Sequence, residues 1–216
     1  MMNLARNLKQ VQSQLTTQTL IAATKYVDDG TIRELYHLGV VNMGENRVQD
    51  MIRKQDALKD LPIKWHFIGH LQTNKVALAI NRIDCLHSLD SIRLAAEIQK
   101  TRVTPLDCFI EVKLTDEPNK TGVSPLELLE FVKQLQKYDI INIVGLMGMA
   151  EALGSIATIK KNFTLLHTLR DQVRLLRLRH APCEWLSMGM SDDFKTAIEC
   201  GTTHLRLGSI LFRNEE

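Results

Sequence analysis

A lysine stands at the end of a short apolar segment near the start of the chain. The residues from Leu20 to Thr24 are typical of a buried strand, and Lys25 follows them directly. Because side chains alternate between the two faces of a strand, Ile21, Ala23 and Lys25 share one face. A lysine amine that is desolvated beside a small alanine has a lowered pKa and forms Schiff bases with carbonyl compounds. The alternative is that Lys25 only begins a solvated loop.

Two strand ends near the C terminus carry glycines and hydroxyl groups. The predicted strand Trp185–Met188 runs into Gly189, and Ser191-Asp192-Asp193 is typical of the start of a helix. Free backbone N–H groups at a helix start attract anions. The next strand ends in the segment Arg206-Leu207-Gly208-Ser209, where a glycine allows close approach and a serine can bond an anion. Together, the two strand ends at Gly189 and Gly208 predict a phosphate site. Each glycine taken singly is also typical of an ordinary turn.

Between these two regions lie other polar residues with less specific signals. Asn46 follows a predicted strand and Gly44, so its amide is placed to meet a ligand. His66 lies within a strand and His70 follows one, and we expect both to be structural rather than catalytic. No Cys-x-x-Cys pair and no histidine at metal-ligand spacing accompanies the cysteines, so we predict no metal site and free, mostly buried thiols at Cys85, Cys108, Cys183 and Cys200.

A fold is needed that brings these strand ends together. Short apolar runs alternate with longer amphipathic runs along the whole chain, and they predict strands at Leu20–Thr24, Val40–Met43, Trp65–Ile68, Asp84–His87, Leu106–Val112, Ile140–Met147, Trp185–Met188 and His204–Leu207. This alternation favours an α/β fold, the (β/α)8 TIM barrel, as a single domain over residues 1–216 with an N-terminal helix before the first strand. A doubly wound open sheet is the alternative. In both folds, ligands bind at the carboxyl ends of the strands.

Two helix starts are predicted from capping-box spacing. Thr31 and Glu34 have the spacing that places a helix start soon after Lys25. Ser124 and Glu127 repeat it, with Pro125 at the first helical position.

The charge pattern restricts the partners. The 27 basic and 25 acidic residues are mixed along the chain and give a net charge of +2, which makes no electrostatic case for a nucleic-acid or membrane partner. The start of the chain is polar and no apolar run approaches the roughly 20 residues that span a bilayer. We therefore expect a cytoplasmic protein, and the charge pattern leaves a small, weakly charged ligand open.

Taken in order, the motifs resemble one known family. Lys25, "GENRVQ", "WHFIGHLQTNK", "GLMGMA", "SMGMSDD" and "LRLGSILF" resemble the YggS/PROSC family of pyridoxal phosphate homeostasis proteins over nearly the whole chain. The resemblance implies a barrel like the N-terminal domain of alanine racemase, with one pyridoxal 5'-phosphate (PLP) bound as a Schiff base on Lys25. The other cofactor-binding positions, carried over by motif, are Asn46, Ser187, Met188, Arg206, Gly208 and Ser209.

The resemblance favours a binding protein over an enzyme. If Arg206 faces the pyridine nitrogen, as in the resembling proteins, it disfavours ring protonation and leaves a weak electron sink. A racemase also needs an acid or base on each face of the substrate carbon. Strand alternation predicts that Tyr26 points away from Lys25, and Tyr36 and Tyr138 are predicted on helices. We expect a monomer that holds PLP for intracellular vitamin B6 homeostasis and delivers it to PLP-dependent apoenzymes.

Two alternatives stay open. One is a PLP-dependent amino-acid racemase of the alanine racemase type, in which Lys25 would act as a base. The other is a class I Schiff-base aldolase acting on a sugar phosphate, which would use the same lysine and phosphate site without a cofactor.

Overall fold

The strands form a closed barrel. The structure, a computed structural model, describes residues 3–115 and 121–213, and within these ranges eight parallel strands pair each with the next, β8 closing on β1. They are β1 (Thr19–Ala23), β2 (Asn42–Glu45), β3 (Lys64–Phe67), β4 (Cys85–Leu89), β5 (Leu106–Glu111), β6 (Ile141–Met147), β7 (Trp185–Ser187) and β8 (His204–Leu207). The (β/α)8 barrel is confirmed, and the open sheet is excluded.

Helices connect the strands and cover the outside of the barrel. They are α1 (Leu4–Gln12), α2 (Asp29–His37), α3 (Val48–Ala57), α4 (Val76–Ala79), α5 (Ile92–Thr101), α6 (Leu128–Gln134), α7 (Ile156–Leu175), α8 (Phe194–Glu199) and α9 (Ser209–Phe212). The N-terminal helix is confirmed. It is tied to the segment around α9, because the Asn7 side chain donates to the carbonyl oxygens of Leu211 and Arg213, at 3.1 Å each. In the described part of the chain, no helix combines the length and apolar character needed to cross a membrane.

Of the two helix starts predicted from capping boxes, the one soon after Lys25 is confirmed in its position but not in its cap, and the one at Ser124 is wrong. Helix α2 begins at Asp29, because the Asp28 side chain accepts from the Thr31 backbone N–H at 2.8 Å and is the true cap. Asp28 itself is extended, as a cap requires. Helix α6 begins at Leu128, because the residues after Ser124 form a turn in which the Ser124 hydroxyl oxygen accepts from the Leu126 backbone N–H.

The apolar core lies in two layers. The larger layer fills the space between the strands and the surrounding helices, and a small inner cluster of Cys85, Phe109, Val144 and Met147 lies apart from it. All the cysteines lie in the described residues, and there each is free and buried, as expected. The inner cluster is small because polar side chains occupy much of the barrel interior.

A buried ion pair lies beneath the end of β1. The Lys54 ammonium of α3 is 2.6 Å from Glu45 Oε1 at the end of β2, and both side chains are almost completely buried. The same ammonium donates to the Thr24 carbonyl oxygen at 2.6 Å, and the Thr24 hydroxyl donates to Glu45 Oε1 at 2.6 Å. This cluster ties β1, β2 and α3 together directly before Lys25.

We expect Lys54→Met to lower the free energy of unfolding by about 3–5 kcal/mol, because it leaves the Glu45 carboxylate buried without its cation. Urea unfolding measures the change. The matched control is Lys160→Met, which breaks the exposed pair of Lys160 with Glu199 and should change stability by less than about 0.5 kcal/mol. Equal effects of the two substitutions would contradict this interpretation of the buried pair.

Candidate functional site

A cavity opens at the carboxyl ends of the strands, between the loops that follow β1, β7 and β8. We call it the apical cavity. Its volume is about 630 Å³. It is lined by Ala23, Lys25, Tyr26, Val27, Asp28, Thr31, Met190, Ser191, Asp192, Arg206, Gly208, Ser209 and Phe212. The strands that sequence reasoning placed at the two ends of the chain are therefore neighbours at one site, since β8 pairs with β1.

Lys25 lies in the apical cavity beside Ala23, as predicted. Its side chain is exposed rather than desolvated, because β1 ends at Ala23 and Lys25 already belongs to the loop. Its ammonium lies 4.7 Å from the centre of the Tyr26 ring. The prediction that Tyr26 points away is wrong for the same reason: beyond the end of the strand, alternation no longer controls its direction.

The β7 and β8 loops are joined by a serine. The Ser191 hydroxyl oxygen accepts from the backbone N–H groups of Gly208 and Ile210, at 3.2 Å each. The turn that carries Ser191 begins at Gly189, whose φ of +97° and lack of a side chain are both required, since a Cβ there would lie 2.6 Å from Ala197 Cβ. Helix α8 starts at Phe194 with Asp193 as its N-cap, so the helix start predicted for Ser191-Asp192-Asp193 lies at the last residue of that segment.

Ser187 and Met188 lie beneath the cavity and do not line it. Both side chains are fully buried, Met188 in the outer apolar layer and Ser187 among polar groups inside the barrel. From the same "SMGMS" motif, Met190 and Ser191 line the cavity instead. Direct contact of Ser187 and Met188 with a ligand remains a prediction.

Arg206 carries a buried positive charge at the floor of the cavity. Its Nη1 donates to the Ser187 carbonyl oxygen at 2.7 Å and to Ser187 Oγ at 2.6 Å, and its Nη2 donates to the Gly148 carbonyl oxygen at 3.2 Å. Burial lowers the pKa of Arg206 to about 10. The guanidinium is therefore still charged at neutral pH.

Asn46 lies directly after β2, at the same end of the barrel as the cavity, without being one of its lining residues. The backbone of Asn46 packs closely against Gly69, and only a glycine fits there because a Cβ at Gly69 would lie 2.4 Å from the Asn46 carbonyl oxygen. Asn46 Oδ1 is buried and has no hydrogen-bond partner among the described residues. A buried acceptor without a hydrogen bond destabilises the folded protein. Asn46 Oδ1 is therefore suited to accept a hydrogen bond from a ligand.

Polar side chains continue down the barrel interior from Arg206. We call the set Asn42, His66, His87, Ser187 and Arg206 the axial chain. His87 Nδ1 lies 2.8 Å from Ser187 Oγ, and His87 Nε2 lies 3.0 Å from His66 Nδ1. His66 Nε2 lies 3.1 Å from Asn42 Oδ1. His87 also stacks on Phe109, with ring centres 4.4 Å apart.

The lower end of the axial chain reaches a second cavity at the opposite mouth, which we call the basal cavity. Its volume is about 530 Å³, and Asn42, Lys64, His66, Cys85 and His204 are among its lining residues. Burial lowers the pKa of His66 to about 3 and that of His204 to about 4, and it lowers the pKa of His87 well below its usual value. The three imidazoles are therefore neutral at physiological pH.

The two candidate histidines from the sequence differ in environment. His66 is buried in β3 within the axial chain, whereas His70 is half exposed and pairs with Asp90, with His70 Nδ1 3.2 Å from Asp90 Oδ2. Neither lines the apical cavity. The roles of Ser191 and His87 were missed. Strand alternation from Cys85 to His87 was the available signal for His87, because it turns both toward the interior where His66 lies.

The apical cavity combines three kinds of group suited to one ligand. Lys25 supplies a primary amine, Arg206 supplies a buried cation, and the loop around Gly208 and Ser209 supplies backbone and hydroxyl groups. Amines condense with carbonyl groups, and backbone N–H groups at the start of a helix favour anions. The arrangement suits a small carbonyl compound that carries a phosphate or another anionic group.

Comparisons with known proteins agree with this geometry. A family model described as alanine racemase, N-terminal domain, matches residues 1–215. The chain is 41% identical over 196 residues to the pyridoxal phosphate homeostasis protein of Aquifex aeolicus, a match that covers 89% of this chain and 85% of that protein. It is 30% identical to the protein of the same name from Escherichia coli K12, with 98% and 97% covered.

Solved structures extend the comparison. PipY of Synechococcus elongatus PCC7942 with PLP bound is 33% identical and superposes with a TM-score of 0.92, covering 98% of this chain and 100% of PipY. The alanine racemase of Corynebacterium glutamicum is 14% identical with a TM-score of 0.82, and the match covers 61% of that enzyme. The second comparison concerns the fold alone.

We expect the free energy of unfolding to fall as the pH drops below about 6.5, the ordinary pKa of histidine in an unfolded chain. The unfolded chain then binds protons that His66, His87 and His204 do not bind in the folded protein, because burial lowers their pKa values. Each histidine contributes a slope of up to about 1.4 kcal/mol per pH unit between its unfolded and folded pKa. Urea unfolding at about pH 7.5 and about pH 5.5 measures the total.

The control for this slope is His204→Gln, which removes one of the three histidines and should reduce the slope by about a third. Equal free energies of unfolding at the two pH values in the parent protein would show that His66, His87 and His204 bind protons in the folded state as readily as in the unfolded chain.

Proposed function

The chain belongs to the alanine racemase N-terminal domain family, within the pyridoxal phosphate homeostasis proteins, and on that premise we propose that it binds PLP in the apical cavity. In this proposal residues 1–216 act as one PLP-binding domain. Its role is intracellular vitamin B6 homeostasis: it holds the reactive aldehyde and releases it to PLP-dependent apoenzymes. The observation that carries the proposal is that Lys25, Arg206 and the Gly208–Ser209 loop line one cavity.

The residues present fit the cofactor. A Cβ at Gly208 would meet only ordinary contacts, 3.4 Å from the Ala23 carbonyl oxygen and 3.5 Å from Ala23 Cβ. No neighbouring atom therefore excludes a side chain there, and its absence leaves room in the cavity. The unpaired Asn46 Oδ1 offers an acceptor to a ligand hydroxyl. Cationic, hydroxyl and backbone groups together suit an anionic phosphate.

Each residue has a proposed role. PLP supplies an aldehyde that condenses with a primary amine, an electron-poor ring and a phosphate. Lys25 would hold the aldehyde carbon as a Schiff base with loss of one water, and the loop of Gly208 and Ser209, braced by Ser191, would hold the phosphate. Arg206 would face the ring nitrogen and keep it unprotonated. Ser187 would act through Arg206, and Met188 would close the site from below.

These roles favour binding over catalysis. A cation opposite the ring nitrogen leaves the ring a weaker electron sink than a carboxylate would. Tyr26 adjoins Lys25, so it supplies no acid or base on the opposite face, as a racemase needs. The chain covers 61% of the alanine racemase that shares its fold. The relatives from Aquifex aeolicus and Escherichia coli are named as pyridoxal phosphate homeostasis proteins and not as aldolases.

We also propose that the protein acts as a monomer in the cytoplasm, without nucleic-acid or membrane partners. Residues of a single chain line the apical cavity. The near balance of 27 basic and 25 acidic residues gives little attraction for polyanions. Free, buried cysteines are typical of proteins in a reducing compartment.

We expect purified protein incubated with PLP to show the absorbance band of a Schiff base. Borohydride should replace this band by one at shorter wavelength that survives denaturation, because reduction converts the C=N bond into a stable amine linkage. Mass spectrometry should then find one pyridoxyl phosphate group, on the peptide that contains Lys25. Lys25→Ala should show neither the Schiff-base band nor the permanent label. It should retain at most reversible binding through the Gly208–Ser209 loop. Absorbance spectra before and after reduction, with peptide mapping, make the measurement.

Lys64→Ala is the matched control, since Lys64 is an exposed lysine at the opposite mouth of the barrel, and it should label as the parent does. Equal labelling of Lys25→Ala would overturn Lys25 as the attachment point. A parent protein that takes up no PLP would overturn the proposed function. Exchange of an amino acid's α-proton with solvent, catalysed by the PLP-loaded parent and absent in Lys25→Ala, would favour the racemase instead.

A further inference from the structure

We infer that the axial chain has a single donor-to-acceptor direction, from Arg206 at the apical cavity to Asn42 at the basal cavity, and that this direction positions Arg206. The inference deepens the proposed function and rests on it in one respect: it assumes that Arg206 meets the cofactor. It makes His87 and Asn42 positioning residues for a site that neither of them touches.

The two ends of the chain fix its direction. A guanidinium has only donors, so Arg206 donates to Ser187 Oγ at 2.6 Å. A side-chain amide oxygen only accepts. The Asn42 Oδ1 atom, 3.1 Å from His66 Nε2, therefore requires a hydrogen on that nitrogen.

The middle of the chain then has one arrangement in which every hydrogen meets a lone pair. Neutral His66 with its hydrogen on Nε2 has a lone pair on Nδ1, which accepts from His87 Nε2 at 3.0 Å. His87 then has its lone pair on Nδ1, which accepts the Ser187 hydroxyl hydrogen at 2.8 Å. Both imidazoles are thereby neutral Nε2–H tautomers.

The opposite direction is unfavourable at both ends. It would use both lone pairs of Ser187 Oγ for hydrogens of His87 and Arg206, so that the serine's own hydrogen would lose His87 as its acceptor. It would also set a lone pair of His66 Nε2 against the Asn42 oxygen. A protonated His87 would bring two cations to one hydroxyl group. Burial, which lowers the pKa of both imidazoles, also favours the neutral forms.

The direction matters for Arg206 because of the Ser187 hydroxyl. While His87 takes the hydroxyl hydrogen, a lone pair of Ser187 Oγ stays turned toward the guanidinium. If His87 cannot accept, the Ser187 hydroxyl hydrogen must turn toward another group. The Ser187 Oγ lone pair that faces Arg206 is then no longer held in place. The remaining acceptors of Arg206, the carbonyl oxygens of Ser187 and Gly148, then fix it less completely.

A metal site is the competing interpretation of the same atoms. One ligand-type atom from each of His66, Cys85 and His87 lies within 4.8 Å of the others. A metal ion would need lone pairs on both nitrogens that face each other, whereas the axial chain keeps a hydrogen on His87 Nε2. The two interpretations therefore exclude each other.

The first test uses the protein without cofactor, so it does not depend on the proposed function. Long-range ¹H–¹⁵N NMR spectra of the imidazoles should show His66 and His87 as neutral Nε2–H tautomers throughout the range of about pH 5.5 to 8, in which a free histidine titrates. An Nδ1–H tautomer at either residue, or titration near the ordinary histidine pKa, would overturn the inference. So would a Co²⁺ absorption band that Cys85→Ala abolishes.

The second test uses PLP-loaded protein and the pH midpoint of the bound cofactor's absorbance. A cation held close to the cofactor lowers the pKa of a protonated group on it. If Arg206 is held less firmly near the cofactor, the pKa of that group should therefore rise. We expect His87→Leu to raise the midpoint by roughly half a pH unit or more and Asn42→Leu to raise it less. His87→Asn, whose carbonyl oxygen can replace Nδ1 as the acceptor for Ser187, should restore most of the parent value.

Phe109→Leu is the matched control, because it removes the ring stacked on His87 and leaves the hydrogen bonds of the chain. It should leave the midpoint unchanged. A shift in Phe109→Leu as large as in His87→Leu, or no shift in His87→Leu and Asn42→Leu, would overturn the positioning role. If the parent takes up no PLP, the proposed function fails while the NMR result still decides the direction of the chain.

Discussion

The buried charge of Arg206 is the constraint that organises the interior of this barrel. A guanidinium removed from water must have its donors satisfied, and here the acceptors come from Ser187 at the end of β7 and Gly148 just after β6. The ends of three neighbouring strands are thereby held in one arrangement. The polar groups below Arg206 follow from the same requirement, since Ser187 needs an acceptor for its own hydrogen and finds it in His87. The chain of polar side chains along the barrel axis thus begins with the hydrogen bonds that Arg206 requires.

A second buried polar cluster supports the opposite wall of the cavity. Lys54 and Glu45 hold Thr24 by its carbonyl oxygen and its hydroxyl. The backbone directly before Lys25 is therefore anchored, while the Lys25 side chain itself is exposed. This combination suits the role proposed for Lys25, which is to present its amine at a fixed place and to release the cofactor again.

Strand positions were predictable because short runs rich in apolar residues alternate with longer amphipathic runs. The predicted bounds lie within two residues of the observed ones, as Leu20–Thr24 does against Thr19–Ala23. The strand–helix alternation favoured a barrel but left the open sheet as an alternative, and only the pairing of β8 with β1 decided between them. Helix starts were less predictable. A capping box at Thr31 and Glu34 competes with Asp28, and only the extended backbone of Asp28 selects the cap.

By itself, the sequence determined the α/β fold class and the residue types of the site, because hydrophobic periodicity and motif order are local properties of the chain. These local properties were enough to place Lys25 and the Gly208–Ser209 segment at strand ends. Only the tertiary structure decided which of these residues share a surface. It turned Ser187 and Met188 inward, brought Ser191 onto the start of α9, kept Lys25 exposed with Tyr26 beside it, and joined His66 to His87 and Arg206. The physical reason is that side-chain direction at a strand end, and contact across a closed barrel, depend on pairing between strands that are distant in sequence.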